Sequence, residues 1–449
     1  MNPDKAQSLL EKTLERAKAK GAVAADCVWG CSEIRSFSAR DDKIERSRSS
    51  AGMSMGLRVL DSCGRQGVAS LSDLDDDASE LLCEAALQNA SCSEPEDDAL
   101  FAQAQPSEPR TDLGLYDQNI PAWNPDAQMK LCLEMSAQAR RLDRRVKSVR
   151  SASVSAVWSE SLIMNTSGVF CRHRCASGSI GLSLLAEDGD AVEIGGAGAE
   201  GRSLSSLMCC LPVEEAVERT VRMLGGSPLK TGQYRLVLEP TVTADLLEAL
   251  ADMFCASNVC KGFSLLAQKM GQQVASGSLT LVDDGRLYGG MGTSPFDSEC
   301  VSTGRTAVLR DGVLSGWLTN LQYGARLGLP STGNAVRSGA SIPEVDISNF
   351  FVMPGARPWE DIVADNDGCF CVTELMGLHT IDSVTGDFSL AARGLLYKNG
   401  VFSPVSSVTI AGNLLDFLAK IGEIGGDLRF FGCIGGCTMV VDDIAVAGI

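Results

Sequence analysis

The sequence predicts an α+β protein of two domains: a mixed, sandwich-like half over residues 1–225 and a β-rich half over residues 226–449, built on an antiparallel sheet or partial barrel. Three observations carry this. Amphipathic helix patterns and short strand patterns interleave as far as residue 224. Gly225-Gly226-Ser227-Pro228 then breaks the chain sharply. Beyond the break, strand runs and glycine turns dominate from residue 279 to the helix that starts at Leu414.

Residues 2–20 form an amphipathic helix with Leu9, Leu10, Leu14 and Ala17 on one stripe and Gly21 as its stop. Runs at 24–29, 34–39 and 53–59, broken at Asp41-Asp42 and Ser62-Cys63-Gly64, give an antiparallel meander. A helix at 73–90 leads into a Pro- and acid-rich connection at 91–125, which the composition makes a mobile surface segment. Residues 127–143 are helical again, and runs at 147–157, 161–165 and 180–186 read as a second sheet layer. Residues 195–201, GGAGAEG, contain a G-x-G-x-x-G pattern but lack the βαβ series a dinucleotide loop requires, so they read as a flexible glycine loop. Residues 212–224 are a helix, with Val213, Ala216, Val217, Thr220, Val221 and Leu224 in step.

In the second half a strand at 234–238 precedes a helix at 243–254. Its clearest stretch is 377–417. Thr385-Gly386-Asp387 is a turn, and Phe388, Leu390 and Ala392 alternate as in a half-buried strand. Residues 394–397 follow as a further strand. Asn399-Gly400 makes a type I′ hairpin turn to a partner strand at 401–408, where Pro404 marks an edge. Asn413 caps a helix at 414–421.

Lys+Arg number 39 against Asp+Glu 57, a net charge of −18, which repels phosphate backbones and anionic lipid and argues against nucleic-acid or membrane partners. The first twenty residues are charged and periodic, without the apolar core of a signal peptide, and no later run approaches a membrane span, so a cytoplasmic location is expected. The 17 cysteines are scattered, as befits small core residues in a reducing compartment.

Metal chemistry has few places to sit. The chain has only two histidines, His173 and His379. Strand alternation puts Cys171, His173 and Cys175 on one face, three soft ligands with no evident fourth. Cys369 with Cys371, and Cys433 with Cys437, lack C-x-x-C spacing and read as packing. Glu248 and Asp252 fall on the solvated face of the 243–254 helix, and no G-x-S-x-G elbow is present.

TGDFS (385–389), the hairpin turning at Asn399-Gly400, and TIAGN (409–413), taken with TSPFDSE (293–299), DGVL (311–314), LGLPSTGNA (327–335) and SFSARDDKIE (36–45), resemble the TldD/PmbA family, specifically its PmbA (TldE) branch. The resemblance spans nearly the whole chain. In the TldD branch a helix following a strand carries HExxxH, whose histidines hold zinc and whose glutamate takes a proton from the attacking water. Here the matching helix reads ADLLEALADMF and has no histidine, so no catalytic, cofactor or metal residue carries over.

The resemblance thus implies a subunit without HExxxH, paired with a TldD-like metallopeptidase or with itself, acting on unfolded or short peptides. Zinc is then expected only in the TldD-like partner. The family association is with peptide-antibiotic maturation and proteolysis; the alternative is a homodimeric peptide-binding or scaffold protein without a protease partner. A substrate groove is expected along Ser331, Thr332, Gly333, Asn334, His379, Gly386, Asp387 and Phe388, where hairpin and loop offer backbone groups to an extended peptide. The chain departs from the family where a glycine usually follows FDSE and Cys300 stands, so that turn need not keep the family's geometry.

Overall fold

In a computed structural model, residues 2–75, 77–96, 98–103, 112–339 and 341–449 are described. One sheet of long strands organises the first half: β1 (Ala24–Arg40), β2 (Lys43–Leu60), β3 (Gln66–Leu71), β4 (Val146–Asn165), β5 (Phe170–Asp188) and β6 (Ala191–Gly201). Their order is β3-β2-β1-β4-β5-β6, antiparallel throughout. The runs at 24–29 and 34–39 are therefore one strand, as are 147–157 and 161–165, and all share this sheet instead of forming two layers. The polar residues between them still pair, Glu33 opposite Trp158, so the backbone ladder continues where side-chain alternation fades.

Residues 195–201 belong to the edge strand β6 and are not a loop. A Cβ on Gly196 would lie 2.2 Å from the Leu182 carbonyl oxygen, so glycine serves close approach there. Part of the 91–125 connection, residues 104–111, lies outside the described residues.

Five helices cover one face of this sheet: α1 (Pro3–Ala19), α2 (Ala78–Ser91), α3 (Pro125–Leu142), α4 (Leu204–Cys209) and α5 (Val213–Val221). Asn2 caps α1 by accepting from Lys5 N at 2.9 Å, Pro3 opens it, and Ala6, Leu10, Leu14 and Ala17 form its buried stripe. These helices bury Trp29, Met55 and Leu162 at one end of the sheet and Phe37, Val154 and Ile180 at the other. Strand alternation turns the opposite set, Val28, Ser161, Ile163 and His173, toward the second half.

The second half continues with β7 (Gly232–Leu238), β8 (Leu281–Asp284), β9 (Arg305–Arg310), β10 (Val313–Leu314), β11 (Ala335–Val336), β12 (Glu344–Val345) and β13 (Phe350–Val352). It ends with β14 (Phe370–Met376), β15 (Asp387–Lys398), β16 (Val401–Asn413), β17 (Ile421–Ile424), β18 (Arg429–Phe431), β19 (Ile434–Gly436) and β20 (Met439–Ala447). Strands β16-β15-β14-β7-β20 run side by side, and β16 meets β20 at Thr409–Ala447 and Ile410–Val446, which closes a small partial barrel. The second sheet runs β10-β9-β8-β13-β19-β18. Helix α6 (Pro240–Ala251) lies against both, over a core that includes Phe254, Phe350 and Phe370.

The two runs on either side of Arg393 are one strand, β15, with an irregularity between Ala392 and Gly394. Asn399 (φ 53°) and Gly400 (φ 79°) both turn left-handed, as a type I′ turn requires. Asn413 caps the following helix by accepting from Leu415 N, but the helix stops at Ala419 because Ile421 joins β17. The edge expected at Pro404 is occupied: Ser227 N donates to Pro404 O and Ser406 N to Ser227 O, both at 2.9 Å. Among the described residues no helix is long and apolar enough to cross a membrane.

Candidate functional site: an acidic cleft beside helix α6

Strand β7 delivers the chain to α6 through Glu239 and Pro240, and proline at the first helical position fixes where the helix begins. The stripe Val242, Leu246, Leu247 and Leu250 is buried, and a Cβ on Gly436 of β19 would lie 2.0 Å from Pro240 O, so the helix start sits directly on backbone. Its outer side lines a cleft of about 570 Å³ with Asp245 and Glu248, joined by Asp252 from the 3-10 turn Asp252–Phe254 that follows. Facing these are His379, Leu378, Ile381 and the 58%-exposed Phe263. Burial first, and the charge of Glu248 second, push the Asp245 carboxyl up to about 6.

This donor set does not fit zinc. A catalytic zinc site needs three converging ligands, usually imidazoles, and an open position. The cleft offers a single imidazole, α6 has no histidine, and among the described residues no three His, Cys, Asp or Glu side chains stand close enough to hold an ion. Glu248 and Asp252 are exposed, as expected of the helix's solvated face, while Asp245 was not singled out in the sequence. Nothing local to His379 points to α6; only the tertiary fold brings them together.

Cys171, His173 and Cys175 do share a face of β5, but each side chain has a different neighbour. His173 Nδ1 pairs with Ser161 Oγ at 3.0 Å and its ring meets Phe296 edge-on at 5.2 Å. Burial and the charge of Arg202 push it down to about 4. Cys175 pairs with Ser159 Oγ at 3.1 Å, and Cys171 packs in a cluster with Cys300. Cys300 adopts a left-handed backbone conformation (φ 63°) although it is not glycine. The thiols of Cys369 and Cys371 lie 3.7 Å apart in the core.

The expected groove residues fall in three places. Gly333 and Asn334 line a cavity between the two halves, His379 lines the acidic cleft, and Phe388 is a core residue reaching a small hollow with Asn413 and Phe417. Ser331 and Thr332 pack on Thr319, while Gly386 and Asp387 shape the hairpin entry. The loop's amides are paired: Thr332 N with Thr319 Oγ1 at 2.9 Å, Gly333 N with Ser331 Oγ at 3.2 Å and Asn334 N with Thr319 O at 3.4 Å. The amides of residues 332–334 are thus already paired within the chain.

The PmbA/TldA metallopeptidase C-terminal domain matches residues 231–448, the central domain residues 118–224 and domain 1 residues 32–90. The chain belongs to the PmbA/TldD family. It lies in the PmbA/TldE branch. It is 27% identical to Metalloprotease PmbA of Escherichia coli O157:H7, across 98% of this chain and 96% of that one. It is also 27% identical to the Metalloprotease TldD homolog of Haemophilus influenzae, across 69% and 70% of the two chains. The crystal structure of TldE from Thermococcus kodakarensis has the same fold, with TM-score 0.87 and 21% identity over 98% of this chain and 100% of that one. In this PmbA/TldD-family chain, α6 carries carboxylates and no histidine.

Proposed function

We propose that this chain is the subunit of a PmbA/TldD-type metallopeptidase that carries no zinc of its own. It pairs with a TldD-like chain and helps hold unfolded or short peptides for cleavage there. One observation carries the reading: α6, set on β7 at an open cleft, presents Asp245 and Glu248, with Asp252 just past its end, and no histidine. Three carboxylates and one imidazole around an apolar floor suit a peptide bearing cationic groups and disfavour a polyanion. Relatives named as metalloproteases on both the PmbA and TldD sides support a two-chain arrangement.

The test is metal analysis and peptidase assay of the full chain, alone and co-expressed with a TldD-like chain. Alone, it should hold substoichiometric zinc and leave casein intact. Together, the two should co-elute, with zinc in the TldD-like chain and an interface above roughly 1,000 Å². One zinc per chain in the isolated protein, lost together with activity on His379→Ala, overturns the proposal. A homodimer that ignores the TldD-like chain supports the scaffold alternative instead.

A further inference from the structure

A cavity of about 330 Å³ separates the sheet of the first half from loops of the second, lined among others by Ser161, His173, Ser298, Asn334, Arg337 and Ser348. The Arg337 side chain is only 3% exposed. It reaches this depth because Gly56 of β2 lets the loop backbone close in: a Cβ there would lie 2.0 Å from Gly339 O. Arg337 Nη1 donates to Asp26 Oδ1, but its Nε and Nη2 are buried and have no partner in the protein. Those two N–H groups form one edge of the guanidinium, the fork that takes both oxygens of a carboxylate in parallel bonds. Ser298 Oγ on the same cavity is likewise buried and unpartnered.

A buried cationic donor without an acceptor is among the least favourable groups a fold can hold, so this arrangement calls for one. The nearby carboxylates, of which Asp297 and Asp346 also line the cavity, accept from other donors. Asp26 also serves Arg58 Nε and Nη2. Asp297 accepts from Glu299 N, Val301 N and Ala335 N. Asp283 accepts from Asn334 Nδ2 and Ser348 N, and Asp346 from Ile347 N.

We infer that this cavity binds a carboxylate, gripped by the Nε and Nη2 edge of Arg337 with Ser298 Oγ as a third donor. The volume admits the end of a peptide, so the ligand is a peptide C-terminus; that choice of source deepens the peptide-handling function and rests on it. The site is distinct from the α6 cleft, which is acidic and would take the cationic parts of the same chain.

Calorimetry on the full chain tests this without any partner, using acetyl-trialanine with a free C-terminus, its C-terminal amide, acetate and inorganic phosphate. The free acid should bind at least about tenfold more tightly than the amide. Arg337→Lys, which keeps a charge toward Asp26 but removes the fork, should weaken it by about tenfold or more, and Ser298→Ala by several-fold. Acetate binding as well as the peptide, with the same dependence on both residues, upholds the carboxylate site and overturns the peptide source. No binding, equal binding of acid and amide, binding of phosphate only, or no loss in Ser298→Ala and Arg337→Lys overturns the site itself. Melting curves accompany each variant, and Ser298→Ala, a small change at a half-buried loop residue, keeps the test decisive if Arg337→Lys misfolds.

Discussion

Asp283, Asp297 and Glu299 are carboxyls that folding strips of water. Burial is the leading cause in each case, pushing Asp283 up to about 7, Asp297 up to about 6 and Glu299 up to about 7. An acid that holds its proton more tightly folded than unfolded adds stability that is complete below its unfolded pKa of about 4 and is lost as pH rises through the folded value. Stability should therefore fall between pH about 5 and about 7.5, by at least about 2 kcal/mol, since each tenfold gain in a carboxylate's proton affinity on folding is worth about 1.4 kcal/mol. Asp98, held at about 2 by Arg326, and Asp26, held below the usual range, act in the opposite sense at lower pH, and His173, pushed down to about 4, opposes the fall as far as pH about 6.5 by less than the three acids together. Urea denaturation across this range is the measurement, and Glu299→Gln should flatten part of the slope. A stability that climbs toward pH 7.5 in both proteins would contradict these protonation states. None of this was legible in the sequence, because TSPFDSE looks like an ordinary polar turn until the two halves close over it.

At the scale of elements, the hairpin of β15 and β16 was the clearest feature of the sequence, since turn chemistry is local. Gly386 (φ 81°) and Gly400 (φ 79°) both occupy left-handed positions, yet they are not equivalent. A Cβ on Gly386 would lie 2.9 Å from Leu265 Cδ2, while nothing lies within 4 Å at Gly400. Gly400→Val should lose about 1 kcal/mol from backbone strain alone, and Gly386→Val about 2–3 kcal/mol because side-chain overlap adds to it. Thermal melts giving equal losses would show that space around Gly386 does not matter. Side-chain alternation marks the long strands only in pieces. Alternation marks a strand where one face is buried, and it fades along β1 and β4 where both faces are half-exposed, although the ladder runs on.

For the whole molecule, the junction between the halves centres on Asp26, 5% exposed, which accepts from Arg58 of the first half and Arg337 of the second. Burial alone would raise its pKa; the charges of Arg337 and Arg58 outweigh it and hold the carboxyl below the usual range. Arg58 also approaches Glu299 at 3.8 Å, and Arg202 donates to Gly290 O and Met291 O at 2.8 and 2.7 Å. Asp26→Ala would strand two buried guanidinium groups and should lower stability by about 3–5 kcal/mol, read by urea denaturation. A loss below about 1 kcal/mol would mean that water reaches the cluster and the junction is looser than its burial implies.

The sequence by itself determined the α+β class, the family, the hairpin and its cap, the buried stripe of α6 and the absence of histidine from that helix. All of these are written in residues three or four apart or in adjacent turn pairs. Tertiary structure alone decided that the strands of the first half form one sheet, that β16 closes on β20, that His379 faces the carboxylates of α6, and that Arg337 ends up buried beside Asp26. Those pairings join residues far apart in the chain, here positions 26 and 337, and no local period records which distant side chain will supply the opposing charge.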